Sequence, residues 1–194
     1  MVQIQNTTRL PGTTYAISDT GPLISSFQSD SFGLLTSLFA RICIPQACVA
    51  ELEQHGWEEE VQAASSELIV AKLTLREEEH ALAFAEQIVQ HSATSDPGVE
   101  HHIGEAQAIV LALRSEHAED VLLLDELAAR AVARRAELRL SGFPGVLLLA
   151  TQAGLISAEE LKARLEICRR EGTHYRRAFI QQVYKMAQRS RRQK

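Results

Sequence analysis

The chain has 194 residues, of which 45% are hydrophobic, and a formal net charge of −5. That length suffices for one domain with a real core, and no apolar run approaches the roughly 20 residues that a membrane-spanning helix needs. The first 14 residues are polar and contain a single Arg, unlike a secretory signal, so we expect a cytoplasmic protein with no membrane partner.

Short apolar runs alternate with helical patterns along the chain. Residues 1–13 read as a disordered lead-in, and 14–190 as one domain that ends in a basic helix and tail. Thr74 with Glu77, and Ser157 with Glu160, have the spacing of capping boxes, and a last helix is predicted from about Tyr175 to Gln188. The predicted strands are Tyr15–Ser18, Arg41–Ile44, Leu68–Ala71, Val121–Leu124 and Leu138–Leu140. The alternation predicts an α/β fold with a mostly parallel sheet covered by helices on both faces.

Two acids follow predicted strands directly. Asp19 follows the first strand and Asp125 the fourth, and in open α/β sheets ligands bind at the carboxyl ends of the strands. Each Asp also stands where a helix cap is favoured, so a purely structural role stays open. Glu126, beside Asp125, would favour the positive end of the next helix.

Two further acids lie near the starts of predicted helices. Glu105 shares a helical face with Ala108 and Ile109, which points its carboxylate toward the sheet, although a first-turn Glu can also pair with the helix dipole. Glu51 is a weaker case of the same type. Carboxylates that converge beside apolar surface repel each other, and a divalent cation offsets that repulsion. The pattern therefore predicts a magnesium or manganese site at one end of the sheet.

The C-terminal segment is cationic. Residues 169–194 contain nine Lys or Arg and one acid, a balance of +8, which leaves −13 on the rest of the chain. Such a segment fits phosphate binding, although a solubilising tail has the same composition. We interpret Arg130, Arg134, His174, Arg176 and Arg177 as candidate contacts to nucleic-acid phosphates, although residues 174–177 also fit the start of an ordinary amphipathic helix.

Other residues favour ordinary roles. His101 and His102 are close enough to Glu105 to reach the site, but paired His in a polar loop are more often exposed. Cys43, Cys48 and Cys168 form no Cys-x-x-Cys pair, so we expect buried free thiols.

In order and spacing, these motifs resemble the PIN-domain ribonucleases, in particular the VapC-like branch of toxin-type proteins. The matching pieces are Ile17–Ile24, Ile44–Pro45 leading to Glu51, Gly104–Ile109, Leu122–Glu126 with Ala129–Arg130, and Gly142–Ala150 closed by Gly154–Ile156. The resemblance spans about residues 15–190. It implies a three-layer α/β/α fold with a sheet of four or five strands.

The resemblance also implies a Mg²⁺- or Mn²⁺-dependent endoribonuclease. By match, the catalytic acids are Asp19, Glu51, Glu105 and Asp125, with Asp19, Glu105 and Asp125 as metal ligands and Thr20 and Glu126 in auxiliary positions. Family members attack an RNA phosphodiester with a metal-activated water, usually dimerise, and as toxins are silenced by an antitoxin.

The chain departs from the family pattern in two places. Many PIN domains have a further acid in the loop that corresponds to Ser141–Gly145, and this loop has none; Glu126 stands where a second Asp often follows. A PIN-like body that only binds RNA or protein is therefore an open alternative. A haloacid-dehalogenase-type phosphatase with Asp19 as nucleophile is disfavoured, because that chemistry wants an acid where Gly21 stands.

Overall fold

A five-stranded, all-parallel sheet forms the centre of the molecule. The computed structural model describes residues 14–191, so the expected lead-in at 1–13 lies outside the described residues. The strands are β1 (Ala16–Ser18), β2 (Ile42–Pro45), β3 (Leu68–Ala71), β4 (Val121–Leu123) and β5 (Leu140–Ser141). Their order across the sheet is β3-β2-β1-β4-β5, and every pair is parallel. The predicted α/β fold with a parallel sheet is confirmed.

The described residues also form ten α-helices, which connect and cover the strands. They are α1 (Thr20–Gln28), α2 (Phe32–Leu38), α3 (Gln46–Gln54), α4 (Glu58–Ala63), α5 (Leu75–Val89), α6 (Ile103–Ala112), α7 (Leu127–Arg135), α8 (Phe143–Gln152), α9 (Ala158–Arg170) and α10 (Arg177–Arg191). Short 3₁₀ turns at Val99–His102 and Ser115–His117 flank α6.

The two faces of the sheet pack against separate hydrophobic cores. In β1, Ala16 faces the core built with α1–α4 and α8–α10, whereas Ile17 faces the core built with α5–α7. Successive strand residues point to opposite faces, so fully buried strands must be apolar on both sides. This explains why the strand sequences are short continuous apolar runs and places helices on both sides of the sheet.

The carboxyl ends of the central strands lie side by side. β1 lies between β2 and β4, and the register pairs Ser18 with Leu123. The backbone N–H of Asp19 donates to the carbonyl of Leu123 across 3.3 Å. The residue after β1 and the residues after β4 are therefore neighbours at one edge of the sheet.

The last strand lies later in the chain than predicted. We expected Leu138–Leu140, but β5 is Leu140–Ser141. Glu137 has a φ of +59°, and the N–H of Leu138 donates to the carbonyl of Ala133. This is the pattern of a Schellman cap, so Leu138 closes α7 before the strand begins.

Within residues 14–191, no helix combines the length and the apolar character that crossing a membrane requires.

Candidate active site

Asp19 is a buried carboxylate without a hydrogen bond to one of its oxygens. The residue is 4% exposed and immediately precedes α1. Its side chain does not cap that helix, and Oδ1 has no partner. The sequence left open that Asp19 caps α1, and the structure shows that its side chain does not do so. A buried carboxylate oxygen without a partner raises the free energy of the folded state. We therefore expect this oxygen to bind a ligand.

Three other acids surround Asp19. Burial raises its pKa well above the ordinary value, and the negative charges of Glu105, Asp125 and Glu51 raise the pKa further. A Cβ built on Gly21 would lie 3.9 Å from both carboxylate oxygens of Asp19 and 3.7 Å from Cβ of Asp125. The structure thus brings the four predicted acids to one edge of the sheet, from β1, α3, α6 and the end of β4.

Asp125 is held by two hydrogen bonds from distant parts of the chain. Oδ1 accepts from the backbone N–H of Phe143, and Oδ2 accepts from the hydroxyl of Tyr175, each across 2.9 Å. Burial raises the pKa of Asp125, while these two donors act in the opposite direction. Asp125 therefore caps the first residue of α8 rather than α7, the helix that follows it in sequence.

Glu126 is the residue that caps α7. Its side chain accepts a hydrogen bond from the backbone N–H of Ala129, three residues on. The side chain nevertheless lies close enough to raise the pKa of Glu105 slightly, as the smallest of several contributions. Glu126 therefore has the capping role that the sequence favoured for Asp125.

Glu51 is tied to Thr20. The hydroxyl of Thr20 donates to Oε2 of Glu51 across 2.6 Å, while about half of the Glu51 side chain stays exposed. A Cβ on Gly104 would lie 3.4 Å from the same Oε2, so the missing side chain lets α6 approach α3. Thr20 therefore orients one of the acids, in keeping with its predicted auxiliary role.

Glu105 and His102 face each other at the start of α6. Burial raises the pKa of Glu105 from 4.5 to about 7, despite an opposing effect of its backbone hydrogen bond and of His102. Nδ1 of His102 lies 4.0 Å from Oε1 of Glu105, and the imidazole is buried. The expectation that both loop histidines are exposed is correct for His101 and wrong for His102.

The site contains the oxygen ligands that a hard cation prefers, but their present positions do not form a coordination sphere. Carboxylate oxygens are the ligands that Mg²⁺ and Mn²⁺ prefer, and the unpartnered Oδ1 of Asp19 fits such a ligand. Among the described residues, no three His, Cys, Asp or Glu side chains converge tightly enough to hold a metal as they stand. The chemistry of the donor set fits a divalent cation, and binding would require side-chain adjustment.

The comparison with known families agrees with this geometry. The sequence profile of DUF3368, a family described as PIN domain, matches residues 15–189. The chain belongs to this family of PIN domains. A search of curated proteins finds none that matches it. PIN domains are often metal-dependent nucleases, so membership makes the cluster of acids the first place to look for activity.

The candidate RNA-binding arginines of this PIN domain differ in availability. Nη1 of Arg130 donates to the backbone carbonyls of Leu124 and Ser141, and so joins the ends of β4 and β5. Arg134, one turn along α7, is exposed. Of the two, Arg134 is therefore the side chain presented to solvent, whereas Arg130 has a structural role beside Asp125.

Basic residues at the start of α10 lie on both sides of the tyrosine that reaches the site. His174, Arg176 and Arg177 are exposed, and Tyr175 between them is partly buried. The bond from Tyr175 to Asp125 therefore brings this basic stretch of chain, which we call the basic rim, next to the acidic site.

The loop that lacks the family acid has no room for one at its centre. A Cβ on Gly142 would overlap Oδ1 of Asp125 and lie 3.0 Å from both Nη1 of Arg130 and the carbonyl oxygen of Leu124. Contacts below about that distance force neighbouring atoms to move. Asp125 occupies the space where a side chain at this position would start.

Sequence reasoning missed two of these contacts. The hydrogen bond from Tyr175 to Asp125 spans 50 residues, and nothing in the local pattern around Tyr175 indicates it. The burial of His102 depends on how the loop at 91–100 folds back; its position one turn before Glu105 was the only available indication.

Proposed function

We propose that this PIN domain is a metal-dependent endoribonuclease. The proposal rests on family membership and on the acids Asp19, Glu51, Glu105 and Asp125 at one edge of the sheet. The observation that carries most weight is the buried, unpartnered Oδ1 of Asp19. A folded protein retains such a costly group chiefly where a ligand satisfies it.

The acids have distinct parts in this reaction. Asp19, Glu105 and Asp125 would hold Mg²⁺ or Mn²⁺, which lowers the pKa of a bound water and offsets charge on the phosphodiester. Thr20 orients the Glu51 carboxylate by donating a hydrogen bond to it. Without metal, burial raises the pKa of Glu105 to about 7, and a bound cation would hold this carboxyl in its charged form. Tyr175 and the N–H of Phe143 fix the plane of the Asp125 carboxylate.

RNA would approach along the basic rim. Arg134, His174, Arg176 and Arg177 are exposed cationic or protonatable groups that suit backbone phosphates and stacked bases. Arg130 would not contact RNA; its hydrogen bond to the carbonyl of Leu124 would hold the end of β4, which positions Asp125.

Replacing Asp19 by Asn tests the activity. The Asp19→Asn variant keeps the size of the side chain and removes its charge, so we expect RNA cleavage in Mg²⁺ or Mn²⁺ to fall at least ~100-fold, as for loss of an essential catalytic group. Asp30→Asn is the matched control, because Asp30 is exposed and its φ of +49° suits Asn. Full cleavage by Asp19→Asn, or by the wild type in excess chelator, would refute the proposal.

A second candidate is a PIN-like module that binds RNA or protein without cutting. It is favoured by Asp125, both of whose oxygens already accept hydrogen bonds, and by the absence of an acid at 141–145. RNA binding without cleavage in either metal, at every pH between about 6 and 9, supports this candidate against the nuclease.

We also propose the partners that the resemblance implies: an antitoxin whose segment enters the acidic site, and a second copy of the chain. A toxin role predicts that expression of the wild type, but not of Asp19→Asn, arrests growth of its host cell. Sedimentation of the purified protein decides between monomer and homodimer.

A further inference from the structure

His102 has one ring nitrogen that is accounted for and one that is not. Nε2 lies 3.3 Å from the carbonyl oxygen of Asp96 and 3.5 Å from the hydroxyl of Thr94. Nδ1 has no hydrogen-bond partner, although the residue is only 4% exposed. Leaving a buried polar atom unpaired costs ~1–3 kcal/mol, so a partner for Nδ1 is expected in the functional state.

The contacts of Nε2 indicate which nitrogen carries the proton. A backbone carbonyl only accepts hydrogen bonds, so Nε2 must donate to Asp96. In the neutral imidazole, Nδ1 then presents a lone pair. A lone pair needs a proton donor or a metal ion, and Oε1 of Glu105 lies 4.0 Å from Nδ1, too far for a hydrogen bond.

The two atoms are close enough to bind one metal ion after a small movement. Bonds from a transition-metal ion to an imidazole nitrogen and to a carboxylate oxygen are each about 2.0–2.2 Å long, so two ligands of one ion are at most about 4.2–4.3 Å apart and closer when they are neighbours in the coordination sphere. Nδ1 of His102 and Oε1 of Glu105 are 4.0 Å apart. A small side-chain movement would therefore let one ion bind both atoms, and Glu105 also interacts with Asp19.

We propose that Nδ1 of His102 is a nitrogen ligand of the divalent cation, and that it gives this site a preference for Mn²⁺ over Mg²⁺. Mg²⁺ selects oxygen ligands, whereas imidazole binds transition-metal ions well. The loop at 91–100 serves this ligand, because its carbonyl at Asp96 fixes the tautomer and orientation of the ring. The proposal rests on the proposed metal site, but it adds a residue that the acids alone do not predict.

Pulsed EPR of the Mn²⁺-loaded protein tests the ligand directly. A coordinated imidazole gives ¹⁴N modulation of the Mn²⁺ signal, which carboxylates and water cannot give. We expect this modulation in the wild type and in His101→Gln, and its loss in His102→Gln. His101→Gln is the matched control, since His101 is the exposed neighbour that pairs with Asp96. In His102→Gln, the amide N–H is able to replace the Nε2 bond to Asp96, which preserves the loop.

Calorimetric titration with Mn²⁺ and with Mg²⁺ measures whether His102 determines the preference between the two metals. In His102→Gln we expect Mn²⁺ affinity to fall about tenfold, the scale of losing one supporting group at a metal site, with Mg²⁺ affinity changed less than about twofold. Absence of ¹⁴N modulation in the wild type while Mn²⁺ still binds overturns the role of His102 and leaves the nuclease proposal intact. Equal loss of affinity for both metals in a folded His102→Gln also overturns it. If no Mn²⁺ binds to the wild type, the metal site itself fails and both proposals fall.

Discussion

Asp19 and Glu105 hold carboxyl groups where a charge is unfavourable. Burial is the first cause of both raised pKa values, and the neighbouring acids add to it for Asp19. Without a cation, part of this cost is avoided by keeping protons on the carboxyl groups. Stability of the metal-free protein should therefore depend on pH in a way that reports the site.

We expect the metal-free protein to lose stability as the pH rises from about 5 to 8. The pKa of Glu105 is 4.5 in a free chain and about 7 in the folded protein. Between these values the folded state keeps a proton that the unfolded state has released, so the free energy of unfolding falls with rising pH, by at most ~3 kcal/mol. The shift of Asp19 has the same sign. Urea unfolding in EDTA at several pH values measures this loss.

Glu105→Gln isolates the contribution of that group. The pKa of His101 is raised by its bond to Asp96, so its stabilising effect also disappears as the pH rises past its folded pKa. The informative quantity is therefore the difference between wild type and variant, which should grow as the pH increases. Parallel curves for the two proteins would show that Glu105 does not titrate in this window.

Tyr175 should stabilise the fold through Asp125. Tyr175→Phe removes the donor that lies 2.9 Å from Oδ2, and a hydrogen bond to a carboxylate is worth ~1.5–3 kcal/mol. We expect a loss of that size in the free energy of unfolding. Tyr184→Phe is the matched control, because the hydroxyl of Tyr184 bonds to Glu159 at the exposed surface. Equal effects of the two substitutions would mean that the Asp125 contact adds nothing.

At the level of elements, local patterns predicted much of the fold. Both capping boxes form, at Thr74 with Glu77 and at Ser157 with Glu160. The apolar runs became parallel strands because burial on both faces leaves no polar alternation. These features depend on residues within one or two turns of each other, which is why the sequence suffices for them.

Local sequence patterns did not predict the long-range contacts. The only structural role expected for Asp125 was a cap on its own helix, but Asp125 caps α8 and accepts a hydrogen bond from Tyr175. The burial of His102 likewise follows from how a loop folds over α6. Neither contact has a periodicity or spacing in sequence, since each depends on elements that only the completed fold brings together.

Gly142 allows β5 and α8 to meet around Asp125. Gly142→Ala would force the new Cβ into Oδ1 of Asp125, so we expect a loss of ~1–3 kcal/mol, as for overpacking, and weaker metal binding. Gly33→Ala is the control: no atom lies within 4 Å of its added Cβ, and Ala favours the helix. A neutral effect of Gly142→Ala in chemical denaturation would contradict the packing argument.

Charge is divided unevenly over the whole molecule. The segment 169–194 has a balance of +8, and the remaining chain −13. Clustered carboxylates would repel RNA phosphates until cations offset their charge. We therefore expect a bound divalent metal and the basic rim each to strengthen RNA binding.

The double variant Arg176→Ala, Arg177→Ala tests the rim. In an Asp19→Asn background, which prevents cleavage, we expect weaker binding of single-stranded RNA and a salt dependence reduced by ~0.7 per lost phosphate contact. Arg139→Ala is the control, because this exposed arginine precedes β5 and so lies at the amino ends of the strands, away from the acids at the carboxyl ends. If RNA affinity depends on salt concentration equally in the double variant and in the Asp19→Asn parent, the two arginines do not contact RNA.

Location of Mn²⁺ in a crystal tests the central claim most directly. Because Oδ1 of Asp19 is buried without a hydrogen-bond partner, we expect an anomalous peak within bonding distance of Asp19, Glu105 and Asp125. The carboxylates should have moved toward the ion. The same soak of Asp19→Asn should show no peak there. A wild-type crystal in which Mn²⁺ binds elsewhere, or leaves the oxygens in their present separate contacts, would contradict the account.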